Sequence, residues 1–301
     1  MKYAETLRAL LAKPELVVAP GVYDGLTARL AAQAGFPAVY MTGAGTAAAR
    51  GFPDFGLLTM TEMVENAGVI ARSASVPVIA DADTGFGNEL NVTRTIREYE
   101  MRGVAAIHIE DQVSPKRCGH LDGKEIVSRQ DFLANIRAAA AARTNPDFVL
   151  IARTDARAVA GMEEAIWRAN AALEAGADVA FVEAAQGLDE VASIPRMVNG
   201  PCLLNIVRGG KTPDVNLRDV QEMGYRIAIL PSMLLSSIIE VCDVMLKTLR
   251  ETQMPPTSAG HPSVRQRFQR LGADEWDALR TRFRENDEQV DVPANSGGVL
   301  S

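Results

Sequence analysis

An eight-stranded parallel β/α barrel is the fold class that this sequence predicts, on three observations. Eight short, strongly apolar runs recur between residues 16 and 230, longer Ala-, Glu- and Arg-rich stretches separate them, and several of those stretches stop at a glycine just before the next run. Continuous apolar runs describe strands covered by helices on both faces, as in a parallel sheet. Eight such units in this length match a closed (β/α)8 barrel of TIM type. An open doubly wound sheet is the alternative, and the lack of a Gly-x-Gly-x-x-Gly after the first run counts against it.

In chain order the expected strands are 16–19, 38–41, 76–80, 105–109, 148–152, 179–182, 202–206 and 227–230. The stretches between them have helical character. Residues 25–34 stop at Gly35, 162–174 at Gly176 and 217–223 at Gly224, where a helix end needs a left-handed residue. After the last strand a long helix is expected over 233–251, then a break at Pro255-Pro256 and a polar helical segment over 262–285. That segment carries Phe268, Leu271, Trp276 and Leu279, an apolar minority suited to docking on a neighbouring surface. The Gly/Ser/Asn-rich end, 290–301, is expected to fray. The chain therefore divides into a barrel domain over 1–252 and a C-terminal helical extension with a polar tail over 253–301.

Composition narrows the function. The 301 residues are 47% hydrophobic and 23% charged, with a net charge of −7, so a disordered chain is excluded. Three cysteines are too few for a disulfide scaffold. An acidic balance without a basic stripe argues against nucleic acid as a partner. No run of about 18 apolar residues is present, so no membrane span is expected. Residues 1–14 lack a charged start followed by an apolar stretch, which points to a cytoplasmic, reducing location.

Polar residues at the C-terminal ends of barrel strands face the active site. Here those ends read Tyr40-Met41-Thr42-Gly43-Ala44-Gly45, Asp81-Ala82-Asp83, His108-Ile109-Glu110-Asp111, Arg153-Thr154-Asp155, Glu183 and Asn205. Carboxylates after consecutive strands repel one another unless a cation lies among them, so a hard divalent metal, Mg2+ or Mn2+, is expected. Asp81 and Asp83, two apart, share one face of a strand. Their bland alternative is to cap the next helix or bind turn amides. Asp54 and Glu110 are expected to hold the waters of the metal.

The loop Lys116-Arg117-Cys118-Gly119-His120 places a cysteine beside two cations and an imidazole, which favours thiolate, and beside a glycine that lets a loop close. Cys202 and Cys242 lie inside apolar runs and read as inert packing. The amides of Thr42, Gly43 and Ala44 suit a carboxylate or phosphate, or else make a plain strand-to-helix turn. Arg153 is suited to a bidentate grip on a substrate carboxylate. His108, within an apolar run, reads as a core histidine.

Three segments carry a family resemblance: Asp81-Ala82-Asp83-Thr84-Gly85-Phe86-Gly87, His108-Ile109-Glu110-Asp111-Gln112, and Lys116-Arg117-Cys118-Gly119-His120. Together they resemble the isocitrate lyase and phosphoenolpyruvate mutase superfamily over residues 15–250, and the last is specific to its carbon–carbon lyases and their near relatives. Pro20-Gly21-Val22-Tyr23-Asp24-Gly25-Leu26, Tyr40 to Thr46 and Cys118 to Lys124 are most similar to the dimethylmalate lyase and oxaloacetate hydrolase branch. Methylisocitrate lyases are also similar, with two departures. Their Ser-Gly-Gly-Gly turn is Thr42-Gly43-Ala44-Gly45 here, and their substrate-binding arginine falls on Ser236, which favours a dicarboxylate. Arg208, where the dimethylmalate branch has Glu, is placed to return a cation to the pocket.

The resemblance implies a barrel, Mg2+, a small carboxylate substrate, and homotetramers that swap a C-terminal helix between subunits. It implies retro-aldol cleavage of a 2-hydroxy di- or tricarboxylate, with Asp81 and Asp83 on the metal. Cys118 is the implied general acid, with Tyr40, Glu110 and His120 as further catalytic candidates. Thr42, Gly43, Ala44, Lys116, Arg117, Gly119, Arg153, Glu183 and Asn205 are the expected substrate contacts, and Arg208, a departure from the family, is a further candidate. Oxaloacetate hydrolysis or decarboxylation and carboxyphosphonoenolpyruvate mutation are the alternatives on the same frame. A non-enzymatic carboxylate sensor is disfavoured because no metal or cysteine position is missing.

Overall fold

In the computed structural model, which describes residues 2–257, 260 and 262–285, eight parallel strands close on themselves in chain order. They are β1 (Val17–Val22), β2 (Val39–Met41), β3 (Val78–Asp81), β4 (Ala106–Glu110), β5 (Val149–Thr154), β6 (Val179–Val182), β7 (Cys202–Asn205) and β8 (Ile227–Leu230). Closure is made by β8 against β1, in a register running from Val17↔Ile227 to Pro20↔Leu230. The open-sheet alternative is thereby overturned.

Alternate residues of each strand divide two environments. Tyr40, Ile79, Val149, Ile151, Phe181, Leu203 and Ile229 fill the inner cluster, while Val39, Met41, Val78, Ala80, Ile107 and Leu150 pack outward against helices. With both faces buried, each strand reads as largely apolar, with polar residues gathered toward its C-terminal end. The helix Lys2–Leu11, which sequence patterning did not separate, adds Ala4 and Leu7 to the inner cluster. Its Arg8 donates to the carbonyls of Asp147 and Phe148 and pairs with Asp178 at 2.9 Å, so it covers the end of the barrel where β5 and β6 begin.

Strand β1 runs three residues past the expected end, through Pro20-Gly21, and β5 extends through Arg153-Thr154. The ladder continues there because polar and turn-forming residues still pair at the barrel mouth, where an apolar run stops early. Helices Gly25–Gln33, Met162–Glu174 and Leu217–Glu222 end as expected, with Gly35, Gly176 and Gly224 at φ +86°, +109° and +101°.

The described residues form two compact units, one up to Lys247 and one from Thr248, the boundary falling within the helix Met233–Thr252. The second unit contains the helices Val264–Arg270 and Ala273–Glu285. The tail expected over 290–301 lies outside the described residues. No described helix is long and apolar enough to cross a membrane.

Candidate active site

The C-terminal ends of the strands bring six expected residues to one rim. Tyr40 sits in β2, Asp81 and Glu110 end β3 and β4, Arg153 lies in β5, Glu183 follows β6, and Asn205 ends β7. All six are buried. Asp81 accepts hydrogen bonds from the N–H groups of Gly43 at 3.2 Å and Asp83 at 2.9 Å, and from the Tyr40 hydroxyl at 3.3 Å. Burial works against its charge, but the Lys116 and Arg153 cations and the Asp83 N–H hold the carboxyl below its ordinary value. Burial lowers His108 to about 4, so it is neutral, and its Nε2 meets the Tyr40 hydroxyl at 2.8 Å.

Asp83 departs from expectation. Strand β3 stops at Asp81, and Asp83 sits beyond it with φ +45°, so the two carboxylates are not neighbours on one strand face. The turn keeps them adjacent all the same. Burial, together with Asp81 and Asp54, raises the Asp83 carboxyl to about 6 against the pull of Lys116.

Part of the cation that balances this cluster comes from the chain itself. Lys116 forms ion pairs with Asp54 and, at 3.1 Å, with Asp83 Oδ1. Arg153 is held between Glu110 at 3.0 Å, Asp155 at 3.0 Å and Glu183 at 3.4 Å. Burial costs both cations, and their carboxylates more than offset it. Two side chains of the protein thus share the role that carboxylate repulsion assigns to a metal.

The residues still fit a hard divalent cation. Among the described residues no three His, Cys, Asp or Glu groups come together to enclose a metal. Mg2+ needs only one or two carboxylates, since waters and substrate oxygens complete its shell. Asp83 Oδ1 and both Glu110 oxygens are buried oxygens that accept no hydrogen bond, beyond their ion pairs with Lys116 and Arg153. Such buried, under-satisfied oxygens suit a cation and its waters.

The loop that carries Cys118 is folded over this rim. Its base is closed by a Gln112↔Ile126 bridge and by the Val113 N–H donating to the Glu125 carbonyl at 2.9 Å. Gly119 lies so close beneath that a Cβ there would stand 2.4 Å from Arg153 Nη2 and 2.6 Å from Glu183 Cγ. Only glycine fits. The cavity bounded by Gly43, Asp54, Gly56 and Asp83 has a volume of about 10 Å3, room for one water.

Cys118 corrects the sequence reading. Burial pushes its thiol up, against the smaller pulls of the His120 N–H, Arg153 and Lys116, so it is a thiol and not a thiolate. His120 is neutral, lowered chiefly by burial. Its Nδ1 accepts the Lys211 N–H at 3.0 Å, so Nε2 carries the proton and faces Glu183 Oε1 at 3.4 Å. Asn205 Nδ2 donates to Glu183 Oε2 at 3.0 Å.

Other expectations fare less well. Burial and Asp81 raise the Tyr40 phenol well above its ordinary value, which makes it a poor base. The Thr42 N–H is taken by the Val22 carbonyl and the Gly43 N–H by Asp81, leaving Ala44 of that turn. The turn opens the short helix Gly43–Ala48, with Thr42 as its cap. Arg117 and Arg208 point to solvent, Arg208 with its side chain 92% exposed and 3.8 Å from Asp214. Long charged side chains on mobile-length loops stay hydrated when no buried carboxylate is in reach. Cys242 is exposed on its helix, not packed, whereas Cys202 is buried.

Two strand-end residues to which the sequence assigned no role support the rim from behind. Asp155 is fully buried against Arg153 and Lys124, and Asp111 accepts the Thr154 hydroxyl at 2.6 Å, the Asp155 N–H at 2.8 Å and Arg168 at 3.1 Å. The signal available was position alone, since Asp111 and Asp155 follow the ends of β4 and β5.

The chain as a whole has known counterparts. The family model described as phosphoenolpyruvate phosphomutase matches residues 7–250. A 2,3-dimethylmalate lyase from Eubacterium barkeri is 48% identical over 261 residues, covering 86% of this chain and 89% of that one. The solved structure of an oxaloacetate acetylhydrolase with the inhibitor 3,3-difluorooxalacetate aligns with a TM-score of 0.89 at 41% identity, over 94% of this chain and 97% of that one. A phosphonopyruvate hydrolase solved with oxalate and Mg2+ aligns with a TM-score of 0.86 at 32% identity, over 94% and 99%. With a closed barrel, paired aspartates after β3 and a cysteine loop over the mouth, the chain belongs to the phosphoenolpyruvate mutase and isocitrate lyase superfamily.

Proposed function

We propose that the protein is a Mg2+-dependent carbon–carbon lyase that cleaves a 2-alkylmalate-type 2-hydroxy acid to a 2-oxo acid and a carboxylic acid. One observation carries the reading: a protonated, partly buried Cys118 stands in the loop that closes on Arg153 and Glu183. A lyase of this kind must deliver a proton to carbon after the bond breaks, and a thiol held protonated at neutral pH suits that task. The similarity to the dimethylmalate lyase supports it.

Asp81 and Asp83 are the residues to hold the metal, with Glu110 and Asp54 beside them. When bound, a divalent cation there supplies Lewis-acid polarisation of the 2-hydroxyl and its neighbouring carboxylate. Glu110, with a buried oxygen that meets no partner, accepts the hydroxyl proton directly or through water. The C2–C3 bond then breaks, its electron pair passing into the C3 carboxylate as an enolate while C2 becomes the 2-oxo carbon. Arg153 and the Gly119 amide face that developing charge. Cys118 S–H protonates C3. The Thr42 hydroxyl and the Ala44 N–H take the carboxylate of the 2-oxo half, and Glu183 orients Arg153, His120 and Asn205. Ser236, in the first turn of the helix Met233–Thr252, offers no cation for a third carboxylate, which favours a dicarboxylate.

Oxaloacetate hydrolysis is the second reading, favoured by the 0.89 TM-score to the acetylhydrolase. Incubation with Mg2+ and either 2,3-dimethylmalate or oxaloacetate separates the two: a 2-oxo monocarboxylate from the first acid supports the lyase, and oxalate from the second supports the hydrolase. The same reading includes a cytoplasmic homotetramer. The side chains of Ile239, Val241 and Leu246, 53%, 58% and 65% exposed on one helix, support a subunit contact by a swapped C-terminal helix.

A further inference from the structure

Lys124 has no place in the cleavage chemistry, yet its side chain is only 1% exposed, at the root of the loop that carries Cys118. A solvated loop costs a lysine nothing. Burying the charge is unfavourable unless its donors find partners. Lys124 Nζ donates to the Gly119 carbonyl at 2.5 Å and to Asp155 Oδ1 at 2.6 Å. Gly119 lies between Cys118 and His120. Asp155 also accepts from Arg153 Nε at 3.0 Å and Nη2 at 3.3 Å, while its own N–H is fixed on Asp111 at 2.8 Å. One ammonium thus joins the backbone that bears the thiol to the carboxylate that aims the guanidinium.

We propose that Lys124 and Asp155 form a buried latch, two positioning residues that hold the Cys118 loop shut and Arg153 aimed in a single step. When the loop lifts, Lys124 loses the Gly119 carbonyl and Asp155 is left with Arg153. When the loop closes, the shared carboxylate fixes both. The effect of the latch on turnover rests on the lyase reading, whereas its effect on the loop does not.

The test uses the full-length protein with Lys124→Met, which keeps the aliphatic stem and removes the ammonium. Iodoacetamide labelling of Cys118, read by peptide mass, is expected to quicken about tenfold or more with the melting temperature retained. The kcat is expected to fall about 100-fold, with a smaller change in KM, because the acid and the arginine lose their alignment. Lys124→Arg, which keeps the cation, is expected to restore most of the protection. Unchanged labelling in folded Lys124→Met overturns the latch, whatever happens to turnover. If that variant does not fold, Asp155→Asn keeps the shape without the charge and carries the same test: faster labelling supports the latch and wild-type labelling contradicts it. Should the wild type cleave none of the 2-hydroxy acids, the lyase reading fails while the labelling still decides the latch.

Discussion

Cys118 and Asp83 owe their chemistry to burial more than to the charges written beside them in the sequence. The two cations next to Cys118 suggested a thiolate, but Arg117 is solvated and Lys116 is engaged by Asp54 and Asp83. Desolvation then dominates and keeps the thiol protonated. Cys118→Ser is expected to lower kcat by about 10²- to 10⁴-fold, the range for losing a general acid. Calorimetry should find Mg2+ affinity unchanged in that variant, and a parallel loss of metal binding would show a structural effect instead. For Asp83 the sign runs toward higher pH. Its carboxyl is raised to about 6, so below that pH a proton competes with the cation. Mg2+ affinity is expected to be steady above about pH 6 and to weaken up to tenfold per unit below it, with proton release on binding. Titration calorimetry in buffers of different ionisation enthalpy measures this, and a flat affinity across the series would count against Asp83 as a ligand.

At the scale of elements, the strand positions were open to reading because both faces of each strand are covered, and the rim residues followed from where those strands stop. Less was legible about the loops. Sequence spacing placed Asp83 on a strand face, but the chain turns at Asp83 itself, and nothing in residue type announces that turn. The partners of Lys116 and Lys124 were equally hidden, since a lysine in a polar loop reads as solvated until the loop folds inward. Gly119 is the position where this element is tested most simply. A methyl there would collide with Arg153 and Glu183. Gly119→Ala is therefore expected to hold the loop open, lowering kcat/KM by about 100-fold through misplaced groups while leaving the melting temperature nearly unchanged. Near wild-type turnover would mean that the closed loop is not the working one.

For the whole molecule, the apolar periodicity specified the barrel, but not how its lower end is covered. The helix Lys2–Leu11 was missed because it precedes the β/α rhythm, although Leu7 is wholly buried beneath it. Leu7→Ala is expected to cost about 2–5 kcal/mol of stability, read by denaturant unfolding, with active-site chemistry retained. The acidic balance of −7 also acquires a local meaning, with Asp54, Asp81, Asp83 and Glu110 gathered on one rim and only part of their charge met by Lys116 and Arg153. The central claim is that this rim, with Mg2+ and Cys118, breaks a carbon–carbon bond. Steady-state formation of a 2-oxo acid from 2,3-dimethylmalate, followed for the wild type with and without EDTA and for Cys118→Ser, tests it most directly. Turnover that requires the metal and collapses in Cys118→Ser is the predicted result; turnover that survives either change contradicts it.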